Sequence, residues 1–175
     1  MAVKIKKVVL WRGEVDNVPG TLARTLEPLT RANLEIVMGY HRHGEGSRAV
    51  IEAYPIRGAA ATAAAGVGLE PSAMPALLVE GDDRRGLGHA IAKALGEAGV
   101  NINFMVAQVV KKRFSAVFGF SSDVDAQQAS ALIKKASAEP RKPKKVAKPK
   151  KVKKAKKAKK TKKDKKSRKG KKSKK

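Results

Sequence analysis

Two turns in this chain carry residue types that can recognise small charged molecules. Asp16-Asn17-Val18-Pro19-Gly20 and Asp82-Asp83-Arg84-Arg85-Gly86 each stand between an apolar run and a stretch of helical periodicity. An asparagine amide offers a donor and an acceptor together, which suits a zwitterion. A glycine lets backbone N–H groups approach a carboxylate at the start of a helix, where unsatisfied amides favour an anion. The same residues also meet a plainer need, because Asn, Asp and Gly build tight turns with no ligand at all. On residue types alone both readings stay open.

Other chemistry is poorly supported. His41 and His43 flank Arg42 on a predicted strand and so share a face, but no third ligand beyond nearby Glu45 is evident, and two surface histidines are the expectation. No serine stands with a histidine and an acid in a nucleophile pattern, so catalysis is not expected. The absence of cysteine excludes disulfides, thiolate metal sites and cysteine nucleophiles. Gly66-Val67-Gly68 lacks the further glycine and the strand–helix context of a nucleotide fingerprint. No cofactor is implied, and the chain reads as a binder.

The two turns belong to a repeat with an offset of 66. At that spacing Asp16 matches Asp82, Gly20 matches Gly86, Leu29 matches Leu95, Ala32 matches Ala98 and Ile36 matches Ile102. Elements follow from periodicity. Residues 3–12 predict a strand, and Leu22, Leu26 and Leu29 a helix face that Pro28 must kink or cut short. Asn33 and its counterpart Gly99 are expected to end their helices in the left-handed conformation. Strands are predicted over 34–43 and 47–56, with a short Ala-rich helix between Gly58 and Gly68. In the second copy, 74–80 predicts a strand and Leu87, Ile91, Ala94, Leu95 and Ala98 a helical stripe. Val100 to Val106 and Phe114 to Phe120 alternate as half-buried strands around a Lys111-Lys112-Arg113 turn, and Ala129, Leu132, Ile133 and Ala136 close a last helix. The order is that of a ferredoxin-like split βαβ fold, with helices on one face of an antiparallel sheet. The fold class is therefore α+β, with two ferredoxin-like βαββαβ units in tandem, residues 1–70 and 71–139. No final strand is evident after Ala136, and the two sheets are expected to pair edge to edge or pack together.

Asp-Asn-Val-Pro-Gly followed by a leucine-spaced helix, together with Gly99-Val100-Asn101-Ile102-Asn103, resembles the ACT domain, a βαββαβ module that binds amino acids and other small ligands. The resemblance spans roughly residues 3–137, and two such units in tandem look like the small stand-alone ACT proteins. It implies a ligand held by the turn after the first strand and the start of the second strand. The matching positions are Asn17 and Gly20 in the first copy, and Asp83, Gly86 and Asn101 in the second. Glu35 replaces Asn101 in the first copy and would repel a carboxylate. Arg84 and Arg85 replace Val18 and Pro19, and these cations are either solvated or matched by a bound anion.

Charge is concentrated at the C-terminal end. Residues 140–175 hold 23 Lys and Arg against a single acid, Asp164, a net +22 of the chain's +25, so 1–139 carries only +3. This segment, with Val146 and Val152 as its only larger apolar residues, is expected to be disordered. Its Lys-Lys pairs resemble the Lys-rich tails of linker histones. Lys150, Lys151, Lys153, Lys154, Lys156, Lys157, Lys159 and Lys160 are the expected contacts to nucleic-acid phosphates, without sequence preference. The start of the chain lacks a signal-peptide apolar stretch, and no run approaches a membrane span. A cytoplasmic, nucleoid-associated protein is expected, as a homo-oligomer, most simply a dimer. The functional expectation is a non-enzymatic regulatory binder of an amino acid with a nucleic-acid-binding tail. The alternative is a histone-like DNA-binding protein whose core only dimerises.

Overall fold

The computed structural model describes residues 3–42 and 47–138. The elements run β1 (Lys4–Val8), β2 (Trp11–Asp16), α1 (Thr21–Leu26), β3 (Ile36–Arg42), β4 (Arg48–Tyr54), α2 (Ala59–Gly66), β5 (Glu70–Pro71), β6 (Ala76–Asp82), α3 (Leu87–Glu97), β7 (Phe104–Val110), β8 (Arg113–Gly119) and α4 (Asp123–Ala138). The expected Lys-rich tail, 140–175, with Lys150 to Lys160, lies outside the described residues.

Two four-stranded antiparallel sheets form, in the orders β3-β4-β2-β5 and β1-β6-β8-β7. The fold is α+β, with a split βαβ unit built on each sheet. The predicted strand 3–12 is instead two strands in two different sheets. Lys4–Val8 runs antiparallel to β6, from Lys4 opposite Glu80 to Val8 opposite Ala76. The expected first unit, 1–70, thus gives up its opening strand, and the strand missing after Ala136 is supplied from the other end of the chain. A β-edge left by β6 accepts any strand whose alternation fits. Val3 and Ile5 point to the helical side of the second sheet, while Val8 points to the opposite side.

Three buried clusters follow from this threading. Leu87, Ile91 and Leu95 of α3 and Ala129 and Ile133 of α4 cover Leu77, Val79, Phe114, Ala116 and Phe118. In the first unit, Leu29, Ile51, Ala53, Ile56, Ala64 and Leu69 form the equivalent core. The third cluster joins the two sheets: Val8, Leu10, Tyr54, Ala76, Leu78 and Val117 are buried together, with Ile36, Met38 and Phe104 packed against them. The sheets therefore pack through their helix-free faces around the Val8–Leu10 crossing. Lys6 adds to the join, its ammonium 5.3 Å from the Tyr54 ring centroid.

Local expectations are met unevenly. Pro28 ends α1 at Leu26, and the chain continues as a 3-10 turn over Glu27–Leu29. Lys111 and Lys112, with φ of 47° and 66°, form the two-residue hairpin turn between β7 and β8. Gly99 is left-handed at φ 71°, but Asn33 is not among the positive-φ residues. The 3-10 turn already reverses the first-copy chain, with Ala32 N–H on Leu29 C=O at 2.8 Å, so no left-handed residue is needed. The 66 offset consequently slips to 68 after the helix. Ile36 pairs with Tyr54 as Phe104 pairs with Gly119, so Ile36 corresponds to Phe104 and not to Ile102.

Glu52 is the exception in the join. It sits mid-strand in β4, between Arg12 and Met38, is only 1% exposed, and its Oε2 has no hydrogen-bond partner among the described residues. Burial pushes its pKa up from the ordinary 4.5, and the Arg12 charge opposes that only in part. A carboxyl whose folded pKa is raised gives its full stabilisation below about pH 4.5 and loses it as pH climbs through the raised value. Unfolding of Glu52→Gln in denaturant should therefore lack this loss of stability with rising pH, and the wild-type and variant curves should diverge toward neutral pH. Parallel pH profiles for the two proteins would remove Glu52 as its source.

Candidate ligand cleft at the first turn

Strand β2 delivers Asp16 to the sheet edge, and Arg48 of β4 clasps it there. Arg48 Nη1 donates to Asp16 Oδ1 at 2.7 Å and Nη2 to the Glu14 carbonyl at 3.1 Å. The second unit repeats the clasp, Arg113 Nη1 to Asp82 Oδ1 at 2.8 Å. Both pairs are exposed, so each adds at most about 1 kcal/mol, but they fix where the following turn starts.

In the first unit that turn opens a cleft of about 250 Å³. Asn17 N–H donates to the Ser47 carbonyl at 2.9 Å and Ser47 Oγ to the Asn17 carbonyl at 3.3 Å. These bonds hold the Asn17 backbone, and its side-chain amide has no partner among the described residues. Gly20 at φ 85° turns the chain into α1, with no side-chain cap and no acid in the first helical turn. By helix geometry the Leu22 and Ala23 amides lack an acceptor within α1. The helix has six residues, so its dipole is small and recognition falls to individual amides and side chains. Across the cleft stand Gly39, Tyr40 and His41 from the end of β3. Asn17 and Gly20 are thus brought together as expected, while Tyr40 and His41 were not anticipated. Their signal lay in the β3–β4 register, which puts Tyr40 opposite Val50.

The second turn is built differently. Gly86 repeats the left-handed φ, at 77°, and Asp83 N–H donates to the Lys112 carbonyl at 2.8 Å. Arg84 folds its guanidinium onto the end of α4, where Nη2 donates to the Ala136 carbonyl at 2.6 Å; its Nε and Nη1 are buried and have no hydrogen-bond partner among the described residues. Unpaired carbonyls at a helix C-terminus attract a cation, which accounts for the placement. Arg85 is exposed.

Asn101 is not brought to Asp83 and Gly86. It precedes β7, whose first residue Phe104 pairs with Gly119, whereas Asp83 lies beside Lys112 at the other end of the sheet. Seven strand residues at about 3.3 Å each put roughly 20 Å between those ends. The reason is topological: strand up, helix down, next strand up places the residue before the second strand opposite the first turn. Glu35 is separated from Asn17 for the same reason, so its expected repulsion does not arise in the cleft. Of the predicted histidine pair, His41 lines the cleft and His43 lies outside the described residues. Among the described residues no three His, Cys, Asp or Glu side chains gather as a metal site.

No protein-family model and no curated protein matches this sequence. Solved structures do match its fold. A protein of Bacteroides thetaiotaomicron designated BT0572 matches over 76% of this chain and 89% of its own, at 15% identity and a TM-score of 0.58. The aspartokinase alpha and beta subunits match over 78% and 97%, at 13% identity and 0.54. The ligand-free regulatory subunit of aspartate kinase from Thermus thermophilus matches over 79% and 98%, at 16% identity and 0.52.

The fold is that of two ferredoxin-like, ACT-like units in tandem. At such identities the likeness concerns fold alone. Among the described residues, no helix of this ACT-like core is long and apolar enough to cross a membrane.

Two glycines separate turn geometry from helix propensity. A Cβ at Gly20 would force a side chain into a left-handed backbone, with Arg24 Nη1 3.1 Å away, whereas one at Gly88 inside α3 meets nothing within 4 Å. Gly20→Ala should lower stability by about 1 kcal/mol or more, and Gly88→Ala should raise it by about 0.5–1 kcal/mol. Urea unfolding of both variants checks the pair, and equal shifts would refute the turn geometry.

Proposed function

We propose that this chain is a non-enzymatic regulatory binding protein whose first-unit cleft takes a small zwitterion, most simply an amino acid. The carrying observation is the cleft itself: Asn17, whose side-chain amide has no partner among the described residues, the Gly20 turn and the Gly39–His41 segment of β3 line a volume suited to a small molecule. An amide can accept from an ammonium and donate to a carboxylate, while the turn's N–H groups favour the carboxylate end. The likeness to regulatory subunits of aspartate kinase supports a regulatory role through fold only.

A site built on Asp83, Gly86 and Asn101 requires a second copy. Strand β7 is an edge, and Met105, Val106, Val109 and Val110 on it are about half exposed, on both faces. Antiparallel pairing of two β7 strands would reverse the ends, bringing Asn101 of one copy toward the Asp83–Gly86 turn of its partner. A homodimer of this kind covers an apolar edge that would otherwise invite aggregation. The Lys-rich residues 140–175, Lys150 to Lys160 among them, would hold the dimer on nucleic acid through phosphate contacts. With about ten phosphates engaged, the logarithm of affinity would fall with that of salt at a slope near −9.

The test is thermal unfolding of the full chain against each of the twenty amino acids. A ligand at 100 times its Kd adds about 2.7 kcal/mol, and Asn17→Ala should abolish that gain while leaving the unliganded midpoint nearly unchanged. If no amino acid moves the midpoint, the sensor reading fails and the core is a dimerising scaffold for the basic tail.

A further inference from the structure

We infer that the first unit carries a second site, a cleft for a small organic phosphate, at the opposite end from Asn17 and Gly20. It lies between the 3-10 turn Glu27–Leu29 and α2 and encloses about 550 Å³, roughly twice the first cleft. Arg31 and Arg57 both line it, from the loop after the 3-10 turn and from the loop before α2. Both are exposed, and among the described residues neither makes a hydrogen bond or an ion pair. Two permanent cations bordering one cleft repel each other, and an anion between them turns that repulsion into attraction.

The walls narrow the ligand class. Pro28, Pro55, Ala59, Ala60 and Ala63 present short apolar surfaces, leaving room for a flat carbon body. A dianionic phosphate matches two guanidinium forks, each able to bond it through paired N–H groups. Free phosphate would engage the arginines and leave the apolar wall in water. A phosphate ester uses both, and the volume exceeds what the phosphate alone requires.

The duplicate unit is neutralised at the matching end. Within the aligned helices Arg31 corresponds to Glu97, which lies 3.5 Å from its own partner, Lys93. Helix α4 is capped by Ser122, whose Oγ accepts from the Asp125 N–H at 3.1 Å, and it carries Asp123 and Asp125 in its first turn. Helix α2 follows Gly58 with no side-chain cap and no acid in its first turn. Acids close this end in one copy, and arginines leave it open in the other.

The experiment uses the full chain, labelled with ¹⁵N, at physiological salt, which weakens loose attraction to the lysines of 140–175. Adenosine monophosphate is the probe, and inorganic phosphate is the comparator without a carbon body. The expected result is saturable amide shifts at Asn33, Ala59, Ala60 and Ala63. Binding should be at least ten-fold tighter for the nucleotide than for phosphate, and ten-fold or more weaker in the Arg31→Gln/Arg57→Gln variant. Because both side chains are exposed and unpaired, the variant should keep the wild-type Tm. Shifts confined to the Lys-rich segment, or equal in the variant, would overturn the site. Equal affinity for the nucleotide and inorganic phosphate would overturn the part assigned to the apolar wall. Amides of Gly20 and Tyr40 report the first cleft separately, so the two sites stand or fall independently.

Discussion

Because Lys4–Val8 hydrogen-bonds to Ala76–Asp82, neither half of this protein is complete as a continuous stretch of chain. The first sheet begins only at Trp11, and the second closes only when the N-terminal strand reaches it. The segment that crosses between them, Val8 to Leu10, is itself buried in the cluster that joins the sheets. Each buried aliphatic side chain there contributes about 1.5–3 kcal/mol of transfer free energy. Against a typical domain stability of about 5–15 kcal/mol, a few such residues decide whether the halves act as one body. Lys7 strengthens the closure from the helical side, 2.6 Å from Asp123 at the start of α4.

That threading also sets what each turn can do. In the first unit the Asp16 turn faces the end of β3 and leaves an open cleft. In the second, Arg84, the counterpart of Val18 in the first turn, instead donates to the Ala136 carbonyl near the end of α4. Duplication has therefore produced two geometries from one motif: an accessible cleft, and a structural clasp beside an exposed sheet edge. The buried Glu52 marks the other tension in the design, a titratable group placed where the two sheets need apolar contact.

Much of the fold was legible because it is local. The Leu87, Ile91 and Leu95 stripe, the Phe114 to Phe120 alternation and the Pro28 break depend on neighbours within a few residues, and all three appear in the structure. The destination of Lys4–Val8 was not legible. Alternation shows that a segment is a strand, but its partner is set by a free edge some seventy residues away. The slip from 66 to 68 was hidden for a related reason: the 3-10 turn and the Gly99 turn use different numbers of residues to reverse the chain. At the candidate site, Asn17 and Gly20 were readable as a turn, whereas Tyr40 and His41 reach it only through strand register. Asn101 was assigned to a site it does not approach, because a motif read along the sequence carries no information about which end of a sheet each piece occupies.

Vectorial synthesis gives the N-terminal strand an unusual history. Lys4–Val8 leaves the ribosome well before its partner strand, which is made about seventy residues later, some 4–15 seconds at ordinary translation rates. During that interval the first unit has all its own strands, while Lys4–Val8 waits as an unpaired extended segment. Its sequence, Lys-Ile-Lys-Lys-Val, is more than half lysine. Charges of one sign on a waiting strand discourage it from adding to a neighbouring chain's edge. The lysines that later frame Tyr54 and Asp123 in the finished protein also guard its first strand until the edge it belongs to exists.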